Sequence, residues 1–360
     1  MEKFELDYFI PTGKMLKEYL ETYDMTQKEL AQRIGVSEKH MTQILKSDVS
    51  LSMEIAIGFE KVFGVKASNL MNYENGYREY IAKKRKIEEL NKEINYKEIK
   101  DKFDIDYLIR NGFIDKDLSQ MEKVDALYSF LGINSLDAFY TVYSDKILGF
   151  SYKQDGYAIE PLAIWLRVGE KLLQKEPEIF EYDEGKIDDL IEELKIITVF
   201  KPEDIMNKAK NICNKYGVYL VVVEATKNSK VRGATSYLGR NPIIQLSTRF
   251  KTHDIFVHSL YHELVHLKKH LKKGKRLLEL DDARFNNLIE ENEADEIAAE
   301  YILPKKDYHN FIHNIWNGTE ASILNFAKSI NIHPGIIVGR LQHDKIAEYN
   351  QFHKLKVALN

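Results

Sequence analysis

Tyr261-His262-Glu263-Leu264-Val265-His266 is the stretch whose reading decides the fold of the C-terminal part of this chain. It has the form His-Glu-x-x-His. On a helix, residues four apart project from one face. His262 and His266 can therefore offer two imidazoles to one metal ion, while Glu263, one step round, points beside them at the water such an ion activates. Five residues of this pattern also arise by chance, so a third ligand has to be found elsewhere. Histidines recur at 258, 262, 266 and 270. Four stacked imidazoles cannot all ligate one tetrahedral ion, and His262 and His266 are the pair that flanks Glu263; His258 and His270 are read as packing residues or supports behind the ligands.

The chain has 360 residues, 44% hydrophobic and 30% charged, which suits a folded protein of two or three domains. A net charge of −4 excludes a chain that coats nucleic acid with its whole surface, but leaves room for one basic face on a small domain. The single cysteine, Cys213, excludes an intramolecular disulfide and a cysteine-built zinc site. The opening MEKFELDYFIPTGK lacks the pattern of a signal peptide, and no apolar run has transmembrane length. A cytoplasmic protein with no membrane association is expected.

Residues 12 to 72 read as short helices. Thr26 with Glu29 forms a capping box, and Leu30, Ala31 and Ile34 follow at helical spacing. Gly35 can take the left-handed conformation that ends the helix. Ser37 caps a second helix, Glu38 to Lys46, whose inner positions are Met41, Ile44 and Leu45. This is a helix-turn-helix, and the second helix has an outer face of Lys39, His40, Thr42, Gln43 and Lys46 without carboxylates, as a helix in the major groove requires. Over Thr26 to Val65, including Leu51-Ser-Met-Glu-Ile-Ala and Phe63-Gly-Val, the sequence resembles the Xre and HigA type of bacterial and phage repressors. The resemblance implies that Gln27 contacts phosphate, and that Ser37, Lys39, His40, Thr42 and Gln43 reach phosphate and base edges of a double-stranded operator. Two half-sites need two copies, so a homodimer is expected.

Residues 77 to 102 are densely charged, with Lys83-Lys-Arg-Lys86 followed by alternating Glu and Lys, and read as a solvated connecting helix. Residues 103 to 200 read as helical. Gly132 is expected to stop one helix, Ala163 to Leu173 to form an amphipathic one, and Phe139, Tyr140, Tyr143 and Trp165 to serve the core. The expected division is 1–75 for DNA binding, 76–102 for a connector, 103–200 for a helical middle and 201–360 for a metallopeptidase domain.

Gly217 to Val223 is a β-branched run of strand length, and Ala234 to Leu238 and Ile243 to Leu246 read as a hairpin about Gly239-Arg-Asn-Pro242. A helix from Asp254 to about Lys272 then carries the opening motif. The third ligand should come from the next amphipathic stretch, Leu288 to Leu303, where Glu290, Glu291 and Glu293 all lie at or beside the apolar face. Helical geometry alone does not choose among them. His262-Glu-Leu-Val-His266 together with Glu293-Ala-Asp-Glu-Ile-Ala-Ala-Glu-Tyr-Ile-Leu-Pro304 resembles the ImmA/IrrE family of zincin metallopeptidases. The likeness extends from Gly233-Ala-Thr-Ser-Tyr-Leu to Pro334-Gly-Ile-Ile-Val-Gly-Arg-Leu-Gln-His343. It implies zinc held by His262, His266 and Glu293, with Glu263 taking the proton of the attacking water and passing it to the leaving amine. Val265 departs from the family, which usually has glycine there. A substrate peptide is expected to lie along Ala234 to Leu238, with Tyr237 in that strand, by strand addition. Arg340 and His343 are candidates for contacts to the substrate or its oxyanion.

The fold expected is mainly α with an α+β domain: an N-terminal helix-turn-helix bundle, a helical middle and a C-terminal zincin-like domain with a small sheet. The function expected is a DNA-binding transcription regulator with a zinc endopeptidase domain that cuts a regulator, either a partner or its own chain. The alternative is a HigA-like antitoxin or prophage repressor whose zincin domain is not catalytic and binds a toxin, another partner or a ligand. A peptidase whose helix-turn-helix merely docks a protein is the third reading.

Overall fold

The computed structural model describes residues 9–148, 158–177, 179–199, 202–227, 229, 231–249, 252–271, 277–280 and 288–359. The chain is mainly α, with one small sheet, and divides into two compact units: residues 1–96 with 118–125, and residues 97–117 with 126–360.

The first unit is built from α1 (Thr12–Thr22), α2 (Gln27–Ile34), α3 (Glu38–Leu45), α4 (Met53–Phe63) and the long α5 (Ala67–Glu93). The start and stop signals are in place. Thr26 accepts from the Glu29 amide, Ser37 from the His40 amide, and Gly35 ends α2 in the left-handed region at φ +84°. Leu16, Leu30, Met41, Ile44, Ala56 and Phe59 fill the core between these helices. A Cβ on Gly13 would lie 2.3 Å from the Leu45 carbonyl oxygen, so only glycine lets α1 cross the end of α3 this closely. The expected boundary at 75/76 falls inside α5. There Glu74 accepts from the Leu51 amide (2.9 Å), and Arg78 donates to the carbonyls of Ser47 (3.1 Å) and Val49 (2.6 Å). The first part of α5 is thus fastened to the chain that leaves α3.

In the second unit, α6 (Ile159–Leu173) is almost wholly buried, and its Trp165 donates to the carbonyl of Val223 on the sheet at 3.2 Å. Phe139 is likewise in the core, whereas Tyr140 is partly exposed and donates to Glu160 at 2.7 Å. After α7 (Pro202–Lys215) come β1 (Tyr219–Val223), β2 (Val231–Leu238) and β3 (Asn241–Ser247). Gly239, at φ +64°, opens the two-residue turn of the β2–β3 hairpin. β1 runs parallel to β3, and β2 antiparallel to it. A fourth strand that the sequence reading lacked, β4 (Leu277–Leu280), pairs antiparallel with β2 in the order β1-β3-β2-β4. β2 is therefore not the free edge expected of it: β4 takes Val231 to Thr235. That ladder has an irregularity at Arg232, and among the described residues Ser236 to Leu238 lie beyond its end.

Against the sheet lies α8 (His253–Val265), continued by one π-helical turn, His266–His270. Lys272, the expected end of this helix, is outside the described residues. α9 (Leu288–Ile302) packs along α8, and α10 (Pro334–His343) crosses its start, where Gly339 leaves room for Asp254. Phe256, Val257, Leu260, Leu264 and Val265 of α8, Leu220, Ile244 and Leu246 of the sheet, and Ala294 and Ala298 of α9 share one core. Small residues at 294 and 298 let the two helices approach.

Candidate metal centre

Burying one face of α8 against the sheet and α9 forces its polar residues inward as well. His262, Glu263 and His266 are 2%, 1% and 2% exposed. Polar groups so deep must be paired or must serve a ligand. The two Nε2 atoms converge to 2.9 Å, and α9 brings up Glu291, whose carboxylate oxygens stand 3.2 Å from His262 Nε2 and 3.4 Å from His266 Nε2. These three are a group of metal-capable side chains whose donor atoms lie within 4.8 Å of one another. A tetrahedral zinc ion with nitrogen and oxygen ligands at about 2.0–2.1 Å has donor separations of about 3.3–3.4 Å. The donor chemistry and the spacing both fit. Burial pushes the Glu291 carboxyl up, but hydrogen bonds and charge from His262 and His266 outweigh it and hold the group near about 2, so the donor is ionised.

Glu293, the third ligand implied by resemblance, is not brought to this point. It sits outside, ion-paired to Lys269 at 2.5 Å and bonded to His270 at 3.2 Å. On α9 it is turned about 200° from Glu291, which puts it on another face of the helix.

Each ligand histidine is held from behind. His262 Nδ1 lies 2.8 Å from Asp295 Oδ1, and His266 Nδ1 lies 2.9 Å from His270 Nδ1. A histidine that offers Nε2 to a metal carries its proton on Nδ1, and a partner for that proton fixes the tautomer and ring orientation. His258 comes within 3.9 Å of Asp295. Asp295 was missed by the sequence reading, although it stands four residues after Glu291 and hence on the same helix face.

Glu263 is seated by β2. The Thr235 hydroxyl donates to its Oε2, and its Oε1 lies 2.0 Å from where a Cβ on residue 233 would be. Gly233 is thus required by close approach of a side chain to the strand. Neither Gly233 nor Thr235 was singled out from sequence as a support for Glu263. Val265 is fully buried in the core. Tyr237 is half-buried at the end of β2, and Arg340 and His343 both bond Asp344 at 2.9 Å and lie near enough to His258 for their charge to act on it.

In the first unit, Gln27 bonds Thr42, which itself donates to the Glu38 carbonyl at 2.8 Å; these two side chains join α2 to α3. Ser37 is occupied as a cap. Lys39 is exposed on the outer face of α3, with His40 and Gln43 partly so.

Residues 213–342 match the family described as the IrrE N-terminal-like domain, of the M78 peptidases, and residues 16–70 match the helix-turn-helix family. A helix-turn-helix-type transcriptional regulator of Methanocaldococcus jannaschii, itself uncharacterised, is 35% identical over 60 residues, 17% of this chain and 91% of that protein. The chain joins an Xre-type helix-turn-helix domain to an M78 peptidase-family domain. The three metal-capable side chains, Glu263, Asp295 and the β2 seat all fall inside the M78 segment, and the capped helix pair inside the other. Among solved structures, an addiction module antidote protein of the HigA family from Coxiella burnetii is 26% identical, covering 24% of this chain and 96% of that one, with a TM-score of 0.22. The antitoxin HigA of Pseudomonas aeruginosa, solved with the higBA promoter, is 25% identical with the same coverages and TM-score. Among the described residues, no helix is long and apolar enough to cross a membrane.

Proposed function

We propose that this transcription regulator is also a zinc-dependent endopeptidase, which hydrolyses a peptide bond in a regulator protein, either a partner or its own chain. The observation that carries the reading is the convergence of His262, His266 and Glu291 beside the buried Glu263, within the M78 segment. His262, His266 and Glu291 would hold the zinc ion, which would supply Lewis acidity. The protein does the rest. Asp295 and His270 keep the ligand imidazoles turned inward, Thr235 holds the Glu263 carboxylate, and Glu263 takes a proton from the attacking water and returns it to the leaving amine.

The N-terminal unit would read an operator as a homodimer, with α3 in the major groove and Lys39, His40 and Gln43 on its reading face. Gln27 and Thr42 fix the angle between the two motif helices. The place of action is the cytoplasm, with the DNA.

Incubation of the zinc-loaded chain with candidate regulators, beside chelated protein and the Glu263→Gln variant, tests the peptidase reading by mass spectrometry. New fragments should appear only in the zinc-loaded wild type, and identical fragments in all three refute it. For DNA, Lys39→Ala with Gln43→Ala should abolish sequence-specific binding and flatten its dependence on salt. One observation favours the alternative of a partner-binding, non-catalytic zincin domain: β4 pairs with Ala234 and Thr235, the first part of the stretch of β2 to which an extended peptide would add. Partner capture without cleavage in the same incubation would select that alternative.

A further inference from the structure

We infer that His270 and Glu293 are positioning residues for metal binding, acting through His266 in a chain Glu293–His270–His266 that runs outward from the donor set. The inference rests on the zinc reading above and adds to it two residues outside the donor group.

The proton positions admit one consistent arrangement with both rings neutral. For His266 to offer Nε2 among the donors, its proton must sit on Nδ1. That atom lies 2.9 Å from His270 Nδ1, which must then be the bare, accepting nitrogen. The proton of His270 is left on Nε2, 3.2 Å from Glu293 Oε2, where a carboxylate accepts it. On its other oxygen Glu293 is bound by Lys269 at 2.5 Å, which holds the end of the chain in place. From His266 Nδ1 outward every polar atom along the line has a complementary neighbour, while the bare His266 Nε2 faces His262 Nε2 and the Glu291 carboxylate, a set of acceptors whose complement is a cation.

The backbone is shaped for this contact. The turn from His266 to His270 is π-helical, with the Leu271 amide donating to the His266 carbonyl at 2.8 Å. A π turn is wider than an α turn and marks functional sites in helices more often than its rarity predicts. Here it begins at the second ligand histidine and ends at its support. His270 is only 7% exposed, so its ring is held as well as bonded. His262 is served by the shorter device of one carboxylate, Asp295. The two ligand imidazoles thus have supports of the same chemistry and unequal length, which explains why a glutamate two residues beyond Glu291 is drawn to this end of α8.

The alternative is that His270 only fills space beneath the last turn. Leucine fills that space without a polar atom, whereas glutamine can accept from His266 Nδ1–H through Oε1 and donate to Glu293 through Nε2. Zinc affinity is measured for the full chain by competition with a chelating dye, and the cobalt-substituted protein by its visible spectrum. His270→Leu should bind zinc 10- to 100-fold more weakly, the usual effect of losing a support behind a ligand, and alter the cobalt spectrum. His270→Gln should recover most of the affinity. Glu293→Ala, at a partly exposed position where folding is not at risk, should fall between wild type and His270→Leu. Glu291→Ala should abolish tight binding. Equal affinities for the Leu and Gln variants would reduce His270 to packing and overturn the assignment while the zinc reading stands. A wild type that takes up no zinc would overturn the zinc reading instead. In that case nitrogen-15 NMR of the metal-free imidazoles still decides the chain, because a proton on His270 Nδ1 refutes it.

Discussion

Gly233→Ala is expected to drive a methyl carbon into the Glu263 carboxylate. An ideal Cβ at 233 lies 2.0 Å from Glu263 Oε1, 2.9 Å from Cδ and 3.2 Å from Cγ. Non-bonded carbon and oxygen approach to about 3.3 Å, so about 1.3 Å of overlap has to be relieved. The carboxylate is 1% exposed and bonded to Thr235, so relief means either breaking that bond or shifting β2. Overpacking of this kind costs about 1–3 kcal/mol. In a Glu263→Ala background the obstacle is gone, and alanine in place of glycine within a strand should then be neutral or stabilising by about 0.5–1 kcal/mol.

The double-mutant cycle therefore has a coupling energy of about 1–4 kcal/mol, readable by urea unfolding of the chelated protein without any substrate. Both tryptophans, Trp165 and Trp316, lie in the 126–360 part of the second unit, so their fluorescence reports that unit alone. An equal cost of Gly233→Ala in both backgrounds would refute the placement of the carboxylate against β2. Under the proposed peptidase function, the same displacement in the zinc-loaded chain should lower peptide hydrolysis by about 100-fold, the effect of moving a catalytic group by about 1 Å.

Two further outcomes follow from buried charge. Arg78→Met should leave the Glu74 carboxylate and two carbonyls behind α3 short of their donor, destabilising the first unit by about 1–3 kcal/mol; faster hydrogen exchange over residues 38–51 checks it, and unchanged protection refutes it. His253 has its pKa lowered by burial and then by the neighbouring His333, itself lowered by burial, so both take up their protons at lower pH in the folded chain than in the unfolded one, where uptake begins below about 6.5. Their contribution is present above that pH and lost as pH falls, by at most about 1.4 kcal/mol per pH unit for each group. His253→Gln should flatten the acid limb of the tryptophan-monitored unfolding curve, and an unchanged slope would exclude His253 as its source.

Local signals made the helix-turn-helix legible, because Thr26, Ser37 and Gly35 act within a few residues of where they stand. The β-branched run of β1 and the glycine turn of the β2–β3 hairpin were legible for the same reason. β4 was not. Its pairing with β2 is made across more than forty residues, and Leu277-Leu-Glu-Leu280 has no periodicity that demands a partner. Residues 77 to 102 were read as a solvated connecting helix from their charges, yet Arg78 has fixed partners in backbone groups after α3, which composition cannot reveal. Glu263 was legible by motif, while its seat was hidden in the absence of a side chain at Gly233.

The choice among the carboxylates of α9 depended on face rather than on distance along the chain. Ala294 and Ala298 are the fully buried small residues that mark the side turned to α8. Glu291, three before the first and seven before the second, lies within about 60° of both, and Asp295, four after Glu291, stays on that side. Glu293, two residues from Glu291, is turned about 200° from it and about 100° from Ala294. A residue on that flank cannot share a coordination point with Glu291's neighbours, but it can reach past them to the end of the π turn, where His270 stands. Counting residues from His266 measures the length of the intervening segment, which insertion can change at little cost. The set Glu291, Ala294, Asp295, Ala298, at i, i+3, i+4 and i+7, instead requires a donor, a close helix approach and a support for His262 on one face. Under the proposed zinc reading those demands meet on one face when Glu291 is the donor, a choice that needed the packing of α9 against α8 and not the helix period alone.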